Sequence, residues 1–398
     1  ISLSQPLKNK FAKNIIQNLN NIHDLNYSFR SWKIIIGPWL NYFIEALYDR
    51  WLTIENLEVK SFNSVYLSAN EYQDFVPFQF YDFLIGLNTH ELNLHIFSEI
   101  IKFNIQTNNL NFKNIKYISL KPVKATYHLM NSSLKVKLLD LFYKNVPFIK
   151  HKYLKNKTHI GRGFSIQDTL AIKLKSGDIP IPDNHTFFLD TLKMESNNFC
   201  QTELRKMIVL NEPESKFESF LNKMIIKYIP KIYLEDFKQS INQIENFMLP
   251  VSPKIIFISN QFSQLDYYRI WASLKIKSGS KLVIGQHGGT YGTAKYHSIE
   301  KFEREVCDYF FTWGWKEDVK TIPISKLWSE KKLKIKKFDN KKKILFIDNE
   351  AAPYLTTFRS VETSSQDKKM IDRSLKLVER IDNYEENVVI RLYPKSNF

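Results

Sequence analysis

The sequence KIIFIS at residues 254–259 is a continuous run of β-branched and aromatic side chains, which is typical of a strand buried on both faces of a parallel sheet. Two similar runs follow, KLVIG at 281–285 and YFFTW at 309–313. The stretches that separate them, one through Trp271 and one at 299–306, have the pattern of helices. This alternation of strands and helices predicts a doubly wound α/β layer.

The rest of the chain is predicted to form three parts around this layer. Residues 1–327 make an α/β domain with a helical N-terminal extension, in which Pro38 interrupts an apolar segment. Residues 328–342 are charged, lack apolar periodicity and are interpreted as a linker. Residues 343–398 open a second Rossmann-like domain. We expect that domain to be truncated, because the chain stops shortly after the strand predicted at 388–392.

Composition limits the classes of function. The 57 Lys and Arg residues exceed the 41 Asp and Glu residues, and the net charge of +16 favours anionic ligands. The lysines are dispersed and no nucleic-acid-binding module is recognised, which argues against nucleic acid as a partner. Cys200 and Cys307 lie far apart in the sequence, and no apolar run reaches about 18 residues. We therefore expect a cytoplasmic protein, either free or peripheral at the inner membrane.

The loop GQHGGTYG at 285–292 is the most informative motif. It follows a predicted strand, at the edge where ligands bind in open parallel sheets. It contains four of the 11 glycines, which permit close backbone approach to a negatively charged ligand. His287 is the candidate general base or anion ligand. The alternative is a tight turn with a structural histidine.

Carboxylates near the same edge are the other catalytic candidates. Asp266 follows the first strand and is a candidate nucleophile or base, with a helix N-terminal role as the alternative. Glu300 and Glu303 follow the glycine loop, and of these Glu300 is selected as catalytic. Helical carboxylates are more often solvated, so that interpretation also stays open. The motif Trp313-Gly-Trp315 suits either sugar stacking or core packing.

Residues for an anionic donor come from several strand ends. Cations near the last strand suit a phosphate, and the glycine loop offers N–H groups. The predicted donor-binding residues are Asn260, Gln286, Gly288, Gly289, Asn349, Arg391, Pro394 and Lys395. The histidines are dispersed and no zinc-ligand spacing occurs, so no metal and no cofactor are expected.

With these motifs the chain resembles a family of bacterial surface-carbohydrate transferases related to the retaining β-Kdo transferases of lipopolysaccharide O-antigen and capsule assembly. The segments that carry the resemblance are WKIIIGPWLNYFIEALYDRW (32–51), IPKIYLEDF (229–237), GQHGGTYG (285–292), DYFFTWGW (308–315) and RLYP (391–394).

The resemblance implies a GT-B glycosyltransferase with two Rossmann-like domains and its active site in the cleft between them. It implies CMP-Kdo as the donor, a glycan or lipid-linked glycan as the acceptor, and double displacement through a carboxylate nucleophile, for which Asp266 is the candidate. Related enzymes often carry a His-Pro pair for the donor phosphate. Here Tyr393-Pro394 stands at that place, between Arg391 and Lys395.

Two other functions remain open. A glycerol- or ribitol-phosphate transferase would keep the fold and use a CDP-alditol with His287 as base and no carboxylate nucleophile. A non-enzymatic basic scaffold or nucleic-acid-binding protein has only the net charge in its favour.

Overall fold

The computed structural model describes most of the chain, with several gaps. The described residues are 4–57, 62–107, 110–122, 146–161, 163–181, 183, 199–245, 247, 249–259, 262, 265–324, 343–347, 354–358 and 364–391.

A five-stranded parallel sheet forms the centre of the fold, with the order β3-β4-β5-β6-β7. Its three middle strands are the predicted ones, so the α/β class is confirmed. The five strands follow one another in chain order, so the described sheet lacks the reversal of strand order that the predicted doubly wound layer would have. Two separate parallel pairs, β1-β2 and β8-β9, accompany this sheet. The strands are β1 Ser64–Ser68, β2 Asn114–Ile118, β3 Thr158–Ile160, β4 Ile255–Ile258, β5 Lys281–Gly285, β6 Tyr309–Trp313, β7 Thr321–Ile324, β8 Ile344–Ile347 and β9 Val388–Arg391.

Helices precede the sheet and alternate with its strands. Short 3-10 turns at Tyr72–Phe75 and Lys231–Tyr233 complete the described secondary structure. The helices are α1 Ser4–His23, α2 Phe29–Glu55, α3 Phe80–Gly86, α4 His90–Gln106, α5 Pro147–Leu154, α6 Ile166–Lys175, α7 Thr202–Lys206, α8 Lys216–Tyr228, α9 Phe237–Ile244, α10 Asp266–Lys277, α11 Ser298–Val306, α12 Ser364–Val378 and α13 Tyr384–Asn387.

The sheet buries apolar side chains on both faces, as the continuous apolar runs predict. Ile256 and Ile284 point into the large core that the N-terminal helices share. Phe257 and Val283, their neighbours in sequence, pack with Ile160 in a smaller cluster. The alternation follows from the two-residue period of a strand, so helices are needed on both sides of the sheet.

Helix α2 is the central support of the large core. It is continuous through Pro38, where the sequence predicted an interruption. Trp32 and Trp39 on this helix are fully buried, so tertiary packing offsets the loss of the backbone hydrogen bond that proline cannot donate. It contacts α1, α4, α10 and α11.

The segment 354–358 connects β8 to α12 and docks on α2. The buried carboxylate of Glu45 accepts hydrogen bonds from the Thr357 hydroxyl, the Phe358 N–H and Lys8. It also accepts from Ser298 Oγ at 3.2 Å, at the start of α11.

The predicted linker at 328–342 lies outside the described residues, so the two-domain GT-B arrangement and its boundaries stay predictions.

Candidate active site

The loop after β5 is fixed to the end of β6 by one side chain. Gln286 is buried, and its amide oxygen accepts from the Trp313 backbone N–H and from Trp315 Nε1, each at 2.9 Å. Its amide nitrogen donates to the Gly288 carbonyl oxygen at 2.9 Å. Because these bonds engage the polar groups of the Gln286 side chain within the protein, Gln286 is better suited to holding the loop than to contacting the donor directly.

Glycine is required where the loop turns back. Gly292 has φ +71, and a Cβ there would lie 2.6 Å from the Trp315 ring. Its N–H donates to Glu300 Oε2 at 3.0 Å, so the predicted catalytic Glu300 anchors the loop. At Gly289, by contrast, a Cβ would meet no atom within 4 Å, and the backbone there is open to a ligand.

His287 belongs to a hydrogen-bonded triad with Glu303 and Tyr291. Its Nε2 lies 3.1 Å from Glu303 Oε1 and 2.7 Å from the Tyr291 hydroxyl oxygen. The Tyr291 hydroxyl donates to Glu303 Oε2 at 2.9 Å. The Glu303 side chain is fully buried, whereas 21% of the His287 side chain is exposed. The triad therefore lies at the protein surface with its carboxylate beneath the imidazole.

Two opposing effects act on the imidazole. Burial lowers the pKa of His287, but the charge of Glu303 and its hydrogen bond outweigh burial and leave that pKa raised above 6.5. Burial, with Glu303 beneath it, holds the pKa of Tyr291 well above 10, so the phenol stays protonated and donates. Burial likewise raises the pKa of Glu300.

This geometry suits a general base. When Nε2–H points to Glu303, the lone pair of the imidazole is on Nδ1, which makes no hydrogen bond within the described part of the chain. Glu303 fixes the ring and stabilises the imidazolium that forms when Nδ1 accepts a proton. The triad can therefore take a proton from a bound hydroxyl group.

Asp266 lies in a different environment. It is completely buried at the start of α10, where its carboxylate contacts Arg269 Nη2 at 2.5 Å and accepts from the Phe80 N–H at 2.9 Å. The Tyr233 hydroxyl donates to the same carboxylate. Burial raises the pKa of Asp266. With three partners and no exposed surface, Asp266 is better explained as a structural ion pair than as the nucleophile the sequence suggested.

The structure describes only some of the remaining donor-binding candidates. Arg391 is exposed and ends β9, whose partner is β8 and not the five-stranded sheet. Gly288 lies in the loop beside Tyr291, 3.5 Å from that ring to a Cβ built at the glycine. Four candidates fall outside the described residues: Asn260, Asn349, Pro394 and Lys395.

Sequence reasoning selected Glu300 and passed over Glu303, which is the residue that contacts His287. A signal was available in the helical spacing. Glu303 lies on the stripe of α11 formed by the buried apolar residues Ile299 and Val306, where a carboxylate needs a partner. Tyr291, within the glycine loop, carried no signal of its own.

A small concavity between α1, α2 and α11 lies apart from this triad. Lys8, Lys33, Ser298 and Phe302 are among the residues that line it. Neither His287 nor Glu303 is among its lining residues, so this concavity is distinct from the triad.

The parallel sheet, with the His287 triad at its carboxyl edge, defines an α/β protein with a candidate acid-base site. The family model for the LIC12162 family transferase matches residues 1–398, so the chain belongs to this transferase family. Comparison with curated proteins and with solved structures found no significant match.

The described residues contain no group of three or more His, Cys, Asp or Glu side chains placed to hold a metal ion. No helix in the described ranges is both long and apolar enough to cross a bilayer.

Proposed function

We propose that this chain transfers a sugar from a nucleotide-activated donor to a hydroxyl group of a growing surface polysaccharide, with His287 as the general base. The observation that carries the proposal is the His287–Glu303 pair, with 3.1 Å between nitrogen and oxygen, at the carboxyl edge of the sheet. The match to a transferase family supports group transfer.

The chain's own residues account for the proton. As the acceptor oxygen attacks the anomeric carbon, Nδ1 of His287 takes the hydroxyl proton and the bond from that carbon to the donor phosphate breaks. Glu303 stabilises the resulting imidazolium. The leaving group is the nucleotide, which carries away the bonding electron pair. Open backbone at Gly289 provides room for an anionic group of the donor.

CMP-Kdo is the donor that the family resemblance suggests. It carries a phosphate and a carboxylate, and the net charge of +16 favours such a ligand. Assembly of lipopolysaccharide O-antigen or capsule is the corresponding process. The acceptor would then be a glycan or a lipid-linked glycan.

The stereochemical course is open to test. Retention by double displacement needs a carboxylate with access to the anomeric carbon, and Asp266 is enclosed. Glu300 and Glu303 have 10% and 0% of their side chains exposed, and both are engaged by the loop. Of the two courses, the described residues favour direct displacement by the acceptor, with inversion.

The CDP-glycerol or CDP-ribitol phosphotransferase remains the second candidate, because it needs a histidine base and no nucleophilic carboxylate. The chain should be incubated with CMP-Kdo and with CDP-glycerol, each with glycan acceptors, and the products identified by mass and anomeric configuration. We expect a Kdo-bearing product whose formation His287→Ala reduces by about 10²- to 10⁴-fold.

His90→Ala, at an exposed histidine of α4, is the matched control and should keep wild-type turnover. A glycerol-phosphate product would favour the second candidate. If His287→Ala turns over like the control, the base assignment is wrong.

A further inference from the structure

Helix α5 is a basic helix whose described side chains are mostly exposed. Phe148, Lys150, His151 and Lys152 are exposed, whereas Tyr153 is buried in the interior. The Tyr153 hydroxyl donates to the buried carboxylate of Asp183 at 2.7 Å. The helix is thus fixed on one side and presents the other to solvent.

The exposed side of α5 combines an aromatic ring with cations. Phe148, Lys152 and Lys155 are spaced four and three residues apart, which puts them on one helical stripe. The ammonium group of Lys152 lies 4.6 Å from the centre of the Phe148 ring. No Asp or Glu occurs anywhere in 146–157.

A second exposed segment continues this stripe. The Val251 N–H donates to the Leu154 carbonyl oxygen at 2.9 Å, and the Lys254 N–H donates to that of Lys157 at 2.6 Å. The segment 249–257 also lacks Asp and Glu. We call the combined area the basic α5 surface; it comprises Phe148, Lys150, His151, Lys152, Lys155, Lys157, Val251, Lys254 and Ile255.

Its five lysines are available to a partner. None of them forms an ion pair with a residue that the structure describes, whereas lysines elsewhere, such as Lys10 and Lys33, pair with glutamates. The buried Asp178, which accepts from the Lys157 N–H at 2.7 Å, and Asp183, which pairs with Lys173, lie beneath this area, but the five exposed lysines leave the field at its surface predominantly positive. The partner that fits this surface is polyanionic.

We propose that the basic α5 surface docks on the headgroups of an anionic lipid bilayer. Apolar exposure distinguishes this partner from nucleic acid. Phe148 is 66% exposed, Val251 56% and Ile255 43%. Apolar side chains among lysines fit the boundary between headgroups and acyl chains, where each basic residue contributes about 1 kcal/mol and aromatic residues add apolar burial.

The surface and the candidate active site lie at opposite edges of the sheet. Lys157 and Lys254 directly precede the first residues of β3 and β4, at the amino ends of the strands, whereas His287 follows the carboxyl end of β5. Docking therefore leaves the His287 loop accessible, and lipid binding can be measured without donor or acceptor. Its outcome is independent of the proposed sugar transfer.

Co-sedimentation with vesicles tests the proposal. The whole chain is mixed with vesicles of phosphatidylglycerol and phosphatidylcholine in equal parts, and with vesicles of phosphatidylcholine alone. We expect binding to the first and little to the second. Lys152→Glu/Lys155→Glu/Lys157→Glu should lower the partition coefficient by about 100-fold, and Phe148→Ser should lower it by several-fold, from the lysine and aromatic contributions.

The matched control is Lys368→Glu/Lys369→Glu/Lys376→Glu, which changes net charge equally on exposed positions of α12. It should bind vesicles nearly as well as wild type. Equal losses from the two triple variants would mean that net charge, and not this surface, governs binding. A parallel titration with a single-stranded RNA tests nucleic acid as the alternative partner. If the α5 triple variant loses RNA binding but binds vesicles as well as the wild type, the proposal is wrong.

Discussion

Nε2 of His287 lies 3.1 Å from Oε1 of Glu303, so a carboxylate from α11 holds the imidazole of the loop after β5. The residues are sixteen positions apart and belong to different elements. Because β5 and α11 meet at the carboxyl edge of the sheet, the strand-helix-strand order itself brings the pair together. The pair gives the loop an acid-base group whose pKa depends on one neighbour.

Glu303→Gln should move the pH dependence of the reaction to lower pH. In the wild type, the charge of Glu303 raises the pKa of His287 above 6.5 against the effect of burial. With glutamine only burial remains, and the pKa falls below 6.5. A base must be neutral to act, so the acid limb of kcat/KM should shift downward, while the plateau drops by on the order of 10²-fold.

NMR titration of the His287 ring measures the same change without substrate. Glu305→Gln is the control, since Glu305 lies on the same helix but pairs with Lys33 at 2.6 Å. It should leave the His287 titration in place. An unchanged titration in Glu303→Gln would contradict the coupling of the two residues.

The sequence predicted the middle of the sheet well because β4, β5 and β6 are continuous apolar runs. It did not predict β3 or β7, which flank them. β3 has only three residues, and Pro323 falls within β7, where proline lowers the expectation of a strand. Short edge strands depend on their neighbours, which a local pattern does not contain.

For the site, the position of the glycine loop and His287 directly after a strand was predictable, and in the structure they follow β5. The surroundings of Asp266 were not predictable. Its partners are Arg269, three residues on, and Tyr233, 33 residues before it, and only the fold shows that they enclose the carboxylate. A polar residue after a strand can mark the ligand-binding edge of a sheet. A polar residue at the start of a helix buried against α3, as Asp266 is, also follows a strand, so the sequence pattern does not distinguish the two.

Asp266→Asn should destabilise the protein by about 3–5 kcal/mol, because it leaves the charge of Arg269 buried and unpaired. Adding Arg269→Met removes that charge, and part of the lost stability should return, less the hydrogen bonds that Arg269 donates to the Ile35 and Phe262 carbonyl oxygens. Asparagine has a single acceptor oxygen, which can accept from the Phe80 N–H, while its amide nitrogen can donate to the Tyr233 hydroxyl oxygen. Urea unfolding measures both changes.

The double variant also separates a structural role from catalysis. If Asp266 only supports the fold, the double variant should regain turnover per folded molecule. If Asp266 is the nucleophile, the double variant stays inactive although it is folded, and the structural assignment is wrong.

Two glycines of the loop should respond differently to alanine. Gly292→Ala places a side chain at φ +71 and against the Trp315 ring, so it should cost at least about 1–2 kcal/mol in unfolding free energy. Gly289→Ala meets no atom within 4 Å and should leave stability nearly unchanged. It should instead raise KM for the donor, because the added methyl group occupies the open backbone.

Thermal unfolding and donor-dependent kinetics measured on both variants provide the check. The two glycines lie three positions apart in one loop, so each variant controls for the other. If Gly289→Ala leaves donor KM at the wild-type value, the donor does not approach that backbone.

His159 should make stability fall with acid through a defined window. Burial lowers its pKa to about 4, with Asp183 opposing and Lys173 adding to the effect. The unfolded chain takes up the proton near pH 6.5 and the folded chain only near 4, so the unfolded state gains stability as pH falls between these values. The loss amounts to about 3 kcal/mol at the lower end. His95, with a pKa of about 4, adds a similar loss in the same window.

His159→Phe removes one of these two contributions and keeps an aromatic ring beside Trp271, whose centre lies 4.9 Å from the His159 ring. Urea unfolding at intervals from pH 4 to 7.5 should show a slope shallower by up to about 1.4 kcal/mol per pH unit than in the wild type. His151→Phe, at an exposed position of α5, should follow the wild-type curve. If His159→Phe also follows that curve, the pKa of His159 is not lowered in the folded protein, and the acid sensitivity of the protein has another cause.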